Sequence, residues 1–297
     1  MRIFVTGASG WIGVPTVTRL LAAGHEVVGL ARSDAAAAAI PAGAEVVRGS
    51  LDDLDLLHAQ AADSDGVVHL AFRHDIAFAG DFTGAVVSDR RAIDAFGDAL
   101  KGSDKPFVLA SGVLGLPGGR VITEDDRPDP AVHPRYANAA VTLDLAANAV
   151  RSVVVRFAPT VHGAGDHGFV AALVGIAQQT GVSGYLGDGT NRWPAVHVSD
   201  AADLVHRALE RAPAGSVVHA MAEVGVPTRD IAEAIGRQLG VPARSIPPEQ
   251  AAHFGFLAEL FGMDAPTSSE ITRRELGWNP SGPTLLEDLN VGAYSPR

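Results

Sequence analysis

The sequence predicts an α/β fold, a doubly wound parallel sheet followed by a smaller C-terminal region. Short runs rich in Val, Ile and Leu alternate with helical segments through the first half of the chain. A glycine-rich segment separates the first run from the first helical segment. Beyond Phe157, glycine, proline and polar residues interrupt the alternation. We therefore assign residues 1–160 to the larger domain and residues 161–297 to the smaller region, part of which could rejoin the sheet.

Six short runs are the predicted strands of the large sheet. They mostly lack polar–apolar alternation, as expected of parallel strands that helices cover on both faces. Alternation of such strands with helices predicts right-handed crossover connections. The predicted strands are residues 2–5, 26–31, 45–48, 66–70, 106–110 and 153–157.

Helical segments lie between and after these strands, and several carry terminal signals. Gly24 is suited to end the first helix, Ser33 to cap the second, and Asp52 or Asp53 to cap the third. A long polar loop is predicted at residues 117–134, and loops of this length are usually functional or mobile. The predicted helices are residues 12–23, 34–40, 54–62, 86–100 and 136–150, then 169–180, 199–212, 228–239 and 248–261.

Composition excludes several classes of protein. The 297 residues include 34 acidic and 23 basic side chains, a formal net charge of −11, which argues against nucleic acid and membrane surfaces as partners. No apolar run approaches the ~18–20 residues of a membrane span, and no secretory leader is recognisable. Cysteine is absent, so disulfides, thiolate metal sites and cysteine nucleophiles are excluded. We expect a cytoplasmic protein.

The glycine-rich segment, Thr6-Gly7-Ala8-Ser9-Gly10-Trp11-Ile12-Gly13, carries the most specific signal. Gly7, Gly10 and Gly13 allow a tight turn, a close approach of the backbone to a pyrophosphate, and close packing of helix on strand. The helix N-terminus adds free N–H groups and partial positive charge. Because the motif lies between a predicted strand and a predicted helix, it indicates a Rossmann-type dinucleotide site.

This motif resembles that of the short-chain dehydrogenase/reductase superfamily, in its extended or atypical, epimerase/dehydratase-like branch. Other stretches are similar to that branch, and together they span roughly residues 1–240. They are Asp65-Gly66-Val67-Val68-His69-Leu70-Ala71, Arg156-Phe157-Ala158-Pro159-Thr160-Val161-His162-Gly163 and Asn191-Arg192-Trp193-Pro194-Ala195-Val196-His197-Val198-Ser199-Asp200-Ala201-Ala202.

The resemblance implies a cofactor site and a substrate pocket. A small molecule is the expected substrate. The residues expected at the dinucleotide are Gly7, Ser9, Gly10, Trp11, Ile12, Gly13, Asp52, Leu70, Ala71, Phe72, Pro159 and Thr160. The residues expected near the substrate are His162, Arg192, Trp193 and His197. Superfamily members often dimerise through two long helices, so a homodimer through helices 86–100 and 136–150 is expected.

The end of the second strand indicates NADP(H) rather than NAD(H). An NAD-binding strand usually ends in a carboxylate that accepts from the ribose hydroxyls and repels a 2′-phosphate. Here Arg32 and Ser33 follow the strand, a forked cation and a hydroxyl donor that suit a phosphate. Asp34 could reach the ribose, or interact with the dipole of the helix in whose first turn it lies.

The resemblance also implies a catalytic group, but with one member missing. The superfamily places a Tyr and a Lys four residues apart on one helix, and a Ser or Thr at the end of the fifth strand. Tyr136 and Ser111 fit two of these places, whereas Ala140 stands where the Lys belongs. Without that cation, Tyr136 should keep a pKa near the ordinary ~10 and be a poor base but a competent proton donor.

Three functions are consistent with these residues. The first is an NADP-dependent reductase of a C=O, C=N or activated C=C bond. The second is a sugar-nucleotide epimerase or dehydratase, against which the missing Lys counts because such reactions need a base near neutrality. The third is a non-catalytic NADP-binding redox sensor. None of the 11 histidines has the spacing of a His-Glu-x-x-His zinc motif, so no metal site is predicted.

Overall fold

The computed structural model describes residues 1–116, 119–131 and 133–294. Within them, seven parallel strands form one sheet in the order β10-β6-β5-β4-β1-β2-β3. This sheet confirms the doubly wound α/β prediction. Its strands are β1 (Arg2–Thr6), β2 (Glu26–Ala31), β3 (Glu45–Arg48), β4 (Gly66–His69), β5 (Pro106–Gly112), β6 (Arg151–Phe157) and β10 (Ser216–Ala220).

Helices cover both faces of the sheet. The core on one face includes side chains of α1 and α8, and the core on the other includes side chains of α3 and α5. The helices of this part are α1 (Gly13–Ala22), α2 (Asp34–Ala39), α3 (Leu54–Ala62), α4 (His74–Phe78), α5 (Phe82–Leu100), α6 (Pro134–Asp144) and α8 (Val198–Arg211). Among the described residues, no helix is long and apolar enough to cross a membrane.

The C-terminal part contributes two small sheets and a core of its own. One sheet has the order β11-β9-β7 and the other pairs β12 with β8. Trp193, wholly buried, is at the centre of this core with Phe254 and Phe261. The elements are β7 (Thr160–His162), α7 (Phe169–Thr180), β8 (Ser183–Leu186), β9 (Arg192–His197), β11 (Glu223–Pro227), α9 (Thr228–Leu239), β12 (Ala243–Ile246), α10 (Glu270–Leu276) and α11 (Leu285–Asn290).

Several predicted boundaries differ from the structure. The helix predicted at 136–150 ends at Asp144 and continues as a short 3₁₀ helix, Leu145–Asn148, before Ala149 adopts a φ of 51°. The helix predicted at 86–100 begins earlier, at Phe82, because Asp81 caps it by accepting from the Gly84 N–H at 2.8 Å. The segment predicted as a helix at 248–261 is instead a kinked 3₁₀ segment, Pro248–Leu257.

The predicted helix caps have mixed outcomes. Ser33 does cap α2, since its hydroxyl accepts from the Ala36 N–H at 3.2 Å. Neither candidate caps α3, because Asp53 accepts from the backbone and hydroxyl of Ser50 and Asp52 binds other side chains. Of the predicted loop 117–134, residues 117, 118 and 132 lie outside the described residues. Its central part is anchored by Glu124, which accepts from the N–H and hydroxyl of Thr272.

Candidate active site

The glycine loop is shaped by close contacts that exclude side chains at two of its positions. Gly7 has a φ of +70°, and a Cβ there would lie 2.8 Å from the Ala71 nitrogen. A Cβ on Gly13 would lie 1.9 Å from the Gly7 carbonyl oxygen. Gly10 is exposed and would meet that oxygen at 3.2 Å. Gly7 and Gly13 are therefore required by the turn itself, whereas Gly10 leaves the outer surface of the turn open.

The N-terminus of α1 offers unused hydrogen-bond donors beside this surface. No side chain caps the helix. Within the described part of the chain, the backbone N–H groups of Trp11 and Ile12 have no acceptor. The Gly10 N–H bonds to the Gly7 carbonyl oxygen at 2.9 Å, which fixes the turn. Free N–H groups at the positive end of a helix suit a phosphate, so these residues fit a dinucleotide pyrophosphate.

Trp11 and the segment after β4 hold the loop in place from two sides. The Trp11 indole donates to the Val161 carbonyl oxygen at 2.7 Å, which connects the loop to β7. Leu70 and Ala71 donate their N–H groups to the backbone oxygen and the hydroxyl of Thr6, at 3.2 and 3.3 Å. The structure thus brings the predicted residues Trp11, Leu70 and Ala71 to the glycine loop.

An ion-pair network occupies the end of β2. Arg32, which is exposed, pairs with Asp75 at 2.8 Å, and Asp75 also pairs with Arg73 at 3.1 Å. Arg73 in turn pairs with Asp52 at 2.8 Å, and Asp52 accepts from the Ser88 hydroxyl. The bond from Arg73, with that from Arg32, lowers the pKa of Asp75 to about 2. No acidic residue stands at the end of β2 in the sequence, but α4 places the Asp75 carboxylate next to Arg32 in the folded chain.

A buried polar chain that the sequence did not reveal lies below the site. The imidazole of His69, wholly buried at the end of β4, is 2.6 Å from the Thr6 hydroxyl and 3.3 Å from the Asp89 carboxylate. Asn138 of α6 donates to Asp89 at 2.7 Å. Burial pushes the pKa of Asp89 upward, but the bonds from His69 and Asn138 outweigh it and hold that pKa below its usual range.

Ser111 begins a row of buried polar residues at the carboxyl ends of three strands. It is paired in register with Arg156 of β6, which is paired with His219 of β10. Paired residues on neighbouring strands project to the same face of a sheet. Arg156 contacts the His219 Nε2 at 3.2 Å and donates to the Asp126 carbonyl oxygen at 2.8 Å. Burial lowers the pKa of Arg156 to about 10.

Tyr136 lies next to this row and is almost fully buried. Its hydroxyl donates to the Leu114 carbonyl oxygen at 2.5 Å. Burial raises the pKa of Tyr136 to about 12, although the positive charges of Arg156 and Arg135 oppose the shift. The sequence-based expectation of an ordinary pKa for Tyr136 was wrong. With the raised pKa, an even smaller fraction of the hydroxyl is deprotonated at neutral pH and available to accept a proton.

Arg135 is a second cation beside Tyr136, and the sequence analysis missed it. Its guanidinium lies 4.3 Å from the centre of the Phe72 ring, a cation–π contact, and 3.4 Å from the Ala110 carbonyl oxygen. Burial lowers its pKa, which the Asp89 carboxylate partly offsets. In the sequence, Arg135 is marked only by its position directly before Tyr136. The helical periodicity does not predict that its side chain faces the interior of the protein.

Two of the four predicted substrate residues are closed off from solvent. His162 is wholly buried and its Nδ1 lies 2.6 Å from the Asp288 carboxylate of α11. Trp193 is wholly buried against aromatic rings of the C-terminal core. Each was expected near the substrate, but β7 and β9 form a sheet there and turn these side chains into the core. Substrate contact by these two side chains is therefore not supported.

The other two predicted substrate residues are partly exposed and have partners. Arg192 pairs with Asp264 at 2.9 Å, and His197 is 2.7 Å from the Ser199 hydroxyl. Of the two cofactor candidates after β6, Pro159 is partly exposed. Thr160 is buried and donates to the Pro194 carbonyl oxygen at 2.6 Å. The Thr160 side chain is thus engaged in joining β7 to β9.

Comparison with known proteins gives the family. Residues 3–221 match the family described as NAD dependent epimerase/dehydratase. A protein of Schizosaccharomyces pombe, described as uncharacterized, is 46% identical over 99% of this chain and 100% of its own length. The 4-hydroxy-2-methyl-3-oxo-4-farnesyl-3,4-dihydroquinoline-1-oxide ketoreductase of Stigmatella aurantiaca is 26% identical over 94% of this chain and 92% of its own.

A solved structure shares the fold. The dTDP-glucose 4,6-dehydratase DesIV of Streptomyces venezuelae, with NAD bound, superimposes with a TM-score of 0.76 at 22% identity, covering 99% of this chain and 96% of that one. At that identity the likeness shows the fold alone. The family match spans β1 to β10 and includes the glycine loop, Ser111 and Tyr136. The chain therefore belongs to the NAD-dependent epimerase/dehydratase family.

Proposed function

We propose that the protein is an NADP-dependent reductase that acts on a C=O, C=N or activated C=C bond of a small molecule. The observation that carries this proposal is the position of Tyr136, whose buried hydroxyl stays protonated at neutral pH because its pKa is about 12, at the carboxyl edge of the same sheet as the glycine loop. In an open parallel sheet, ligands bind beyond the carboxyl ends of the strands.

The glycine loop is suited to hold the pyrophosphate of the cofactor. The free N–H groups of Trp11 and Ile12 would donate to it, and the open surface over Gly10 would allow its approach. When bound, a nicotinamide dinucleotide supplies or accepts the hydride. Phe72 and Arg135, which contact each other where β4 and β5 end, would flank the bound cofactor near Tyr136.

NADP is favoured over NAD by the cations at the end of β2. Arg32 and Arg73 both face Asp75, whose pKa near 2 keeps it ionised at neutral pH. A 2′-phosphate carries more negative charge than a carboxylate and accepts a bidentate contact from arginine. We infer that the phosphate takes the place of Asp75 at Arg32, while Arg73 stays paired with Asp52. An exposed ion pair is weak enough to be exchanged in this way.

Reduction is the direction that the side chains favour. As negative charge develops on the substrate oxygen or nitrogen, a proton donor or hydrogen bond must meet it. Tyr136 would donate the proton and Ser111 a hydrogen bond. Oxidation, and the epimerase or dehydratase reactions that begin with it, would need Tyr136 as a base, and its raised pKa opposes that role at neutral pH.

A second candidate, a non-catalytic redox sensor that binds NADP, is favoured by one contact. The Tyr136 hydroxyl is directed at the Leu114 carbonyl oxygen. If that bond persists when ligands are bound, the proton is not available to a substrate. The residues after β5, Val113 to Leu116, would have to move for Tyr136 to act.

One experiment separates the candidates. Purified protein would be mixed with NADPH and a panel of aldehydes, ketones, imines and enones, and NADPH consumption followed. Sugar nucleotides would be tested in parallel, with NAD⁺ or NADP⁺ as the hydride acceptor, for epimerisation or dehydration. NADPH consumption with one compound class supports the reductase. Conversion of a sugar nucleotide with no net change in the oxidised cofactor supports the epimerase or dehydratase, and tight NADPH binding without any turnover supports the sensor.

A further inference from the structure

Two histidines and a glutamate meet at the edge of the sheet opposite the glycine loop. His25 lies between α1 and β2, directly before the amino end of β2. His206 and Glu210 are one turn apart in the second half of α8. Because α8 runs from the carboxyl edge of the sheet toward its amino edge, these two residues reach the side where His25 lies. The cluster is thus distant from Ser111 and Tyr136.

The distances within this cluster match those of metal ligands. The Glu210 Oε1 lies 3.3 Å from the His25 Nε2 and 3.2 Å from the His206 Nε2. One ligand atom from each residue lies within 4.8 Å of the others. Zinc bonds of ~2.0–2.1 Å at tetrahedral angles separate neighbouring ligand atoms by about 3.3 Å. The two Glu210 distances therefore match this spacing, and the third distance, between the two histidines, is at most 4.8 Å.

The Nε2 atoms of His25 and His206 lie within ion-pair distance of Glu210 but are poorly aligned with it for hydrogen bonding. The two imidazole side chains are 7% and 9% exposed. The Nε2 of His25 and both ring nitrogens of His206 are buried and, among the described residues, make no hydrogen bond of acceptable geometry. Buried polar atoms normally have a well-formed hydrogen bond, and a metal ion between the imidazoles and the carboxylate would satisfy both Nε2 atoms.

The Glu210 carboxylate supplies the negative charge of the cluster. Asp203, one turn before His206, is paired with both Arg19 and Arg207, which leaves one net positive charge among those three groups. A neutral imidazole is the form that binds metals. Glu210 is partly exposed and leaves an approach from solvent.

We propose that His25, His206 and Glu210 bind a transition-metal ion of the Zn²⁺ class, with water completing the coordination. Two imidazoles and one carboxylate are a ligand set that Zn²⁺ accepts, whereas Mg²⁺ and Ca²⁺ prefer oxygen ligands. The ion would connect the α1–β2 turn to α8. Since α1 begins at the glycine loop, the bound ion would stabilise the helix that presents that loop, without taking part in the reaction.

The test uses untagged full-length protein from which metal has been removed with a chelator. Calorimetry with Zn²⁺ should show one equivalent bound, and Co²⁺ should give the visible absorption of a four-coordinate site. Zn²⁺ should raise the melting temperature, and Mg²⁺ should not. Glu210→Gln, at a partly exposed position, and His206→Gln should each weaken Zn²⁺ binding by about tenfold or more, since each removes one of three ligands.

The control is His58→Ala, which removes an exposed histidine of α3 and should leave Zn²⁺ affinity unchanged. Glu210→Gln keeps the test decisive if His206→Gln does not fold. Absence of stoichiometric Zn²⁺ and Co²⁺ binding at micromolar concentrations would overturn the proposal. Binding that survives in both ligand variants would also overturn it, because the ion would then occupy another place.

Discussion

The Tyr136 hydroxyl donates a 2.5 Å hydrogen bond to the Leu114 carbonyl oxygen, in the segment that follows β5. Leu114 follows Ser111 closely in sequence, so the hydrogen bond ties Tyr136 to the same segment that carries the second group proposed for the reduction. A substrate oxygen would have to replace the Leu114 carbonyl as the partner of Tyr136. In the structure, the hydroxyl of the proposed proton donor is therefore directed at the protein itself.

The raised pKa of Tyr136 predicts different pH profiles for the two directions of reaction. Reduction uses the neutral hydroxyl, which persists well above neutral pH when the pKa is about 12. The reduction rate should therefore show no alkaline loss from Tyr136 up to about pH 10, whereas oxidation of the product should rise with pH by up to tenfold per unit. Both profiles can be measured as initial rates of reduction and of oxidation over a range of pH values.

The variant Arg135→Met tests the pH profile of the oxidation rate further. It removes a positive charge that opposes the rise in the pKa of Tyr136, so oxidation should need still higher pH. An oxidation rate that reaches its plateau near neutral pH in the wild type would contradict the proposed role of Tyr136.

Arg32→Ala should weaken NADPH binding by about tenfold or more and leave NADH binding nearly unchanged, because a charged hydrogen bond contributes ~1.5–3 kcal/mol. Asp75→Asn is the complementary change. It removes the carboxylate that competes for Arg32, so NADPH affinity should rise. Calorimetric titrations with both cofactors give the answer, and equal losses for NADPH and NADH in Arg32→Ala would show that no 2′-phosphate binds there.

Gly10→Val should abolish cofactor binding while the protein still folds. A Cβ there meets only the Gly7 carbonyl oxygen, at 3.2 Å, and the rest of the side chain would occupy the surface needed by the pyrophosphate. Gly13→Val is a poorer test, since its Cβ would lie 1.9 Å from that oxygen and disrupt the turn. Gly175→Ala, in α7 with open space around the new Cβ, is the control. Normal NADPH affinity in folded Gly10→Val would refute the dinucleotide site.

His219 predicts a loss of stability in acid. Burial lowers its pKa to about 3 from the ordinary 6.5, so as pH falls the unfolded chain takes up the proton first. The contribution of neutral His219 to the free energy of unfolding is complete above about pH 6.5. It falls by up to ~1.4 kcal/mol per pH unit toward pH 3. Urea unfolding at several pH values measures the slope. His219→Gln can keep contacts with Arg156 and Ser268 without titrating, and should flatten the slope; His58→Gln should not.

The glycine loop, the parallel α/β fold and the family could be predicted because each depends on local pattern. Gly7, Gly10 and Gly13 follow one strand and precede one helix, so their spacing alone identifies the turn. Ser111 and Tyr136 could be located by the same reasoning, since each stands at a recognisable place relative to a strand or helix.

The rest of the candidate site depends on residues that meet only in the folded chain. Asp75 reaches Arg32 from a different helix, and His219 reaches Arg156 from a strand beyond residue 200. The family resemblance implies that Trp193 and His162 lie near the substrate. The strands β7 and β9 instead bury both side chains, and the partner of His162, Asp288, lies 126 residues away.

The most direct test of the reductase proposal is the single-turnover rate of Tyr136→Phe at saturating NADPH, with the substrate that the panel identifies. General acid catalysis contributes ~10²–10⁴-fold, so the variant should slow reduction by that factor with NADPH affinity unchanged. Ser111→Ala, which removes only a hydrogen bond, should slow it less. An unchanged rate in Tyr136→Phe would contradict the account, because the proton would then come from another group.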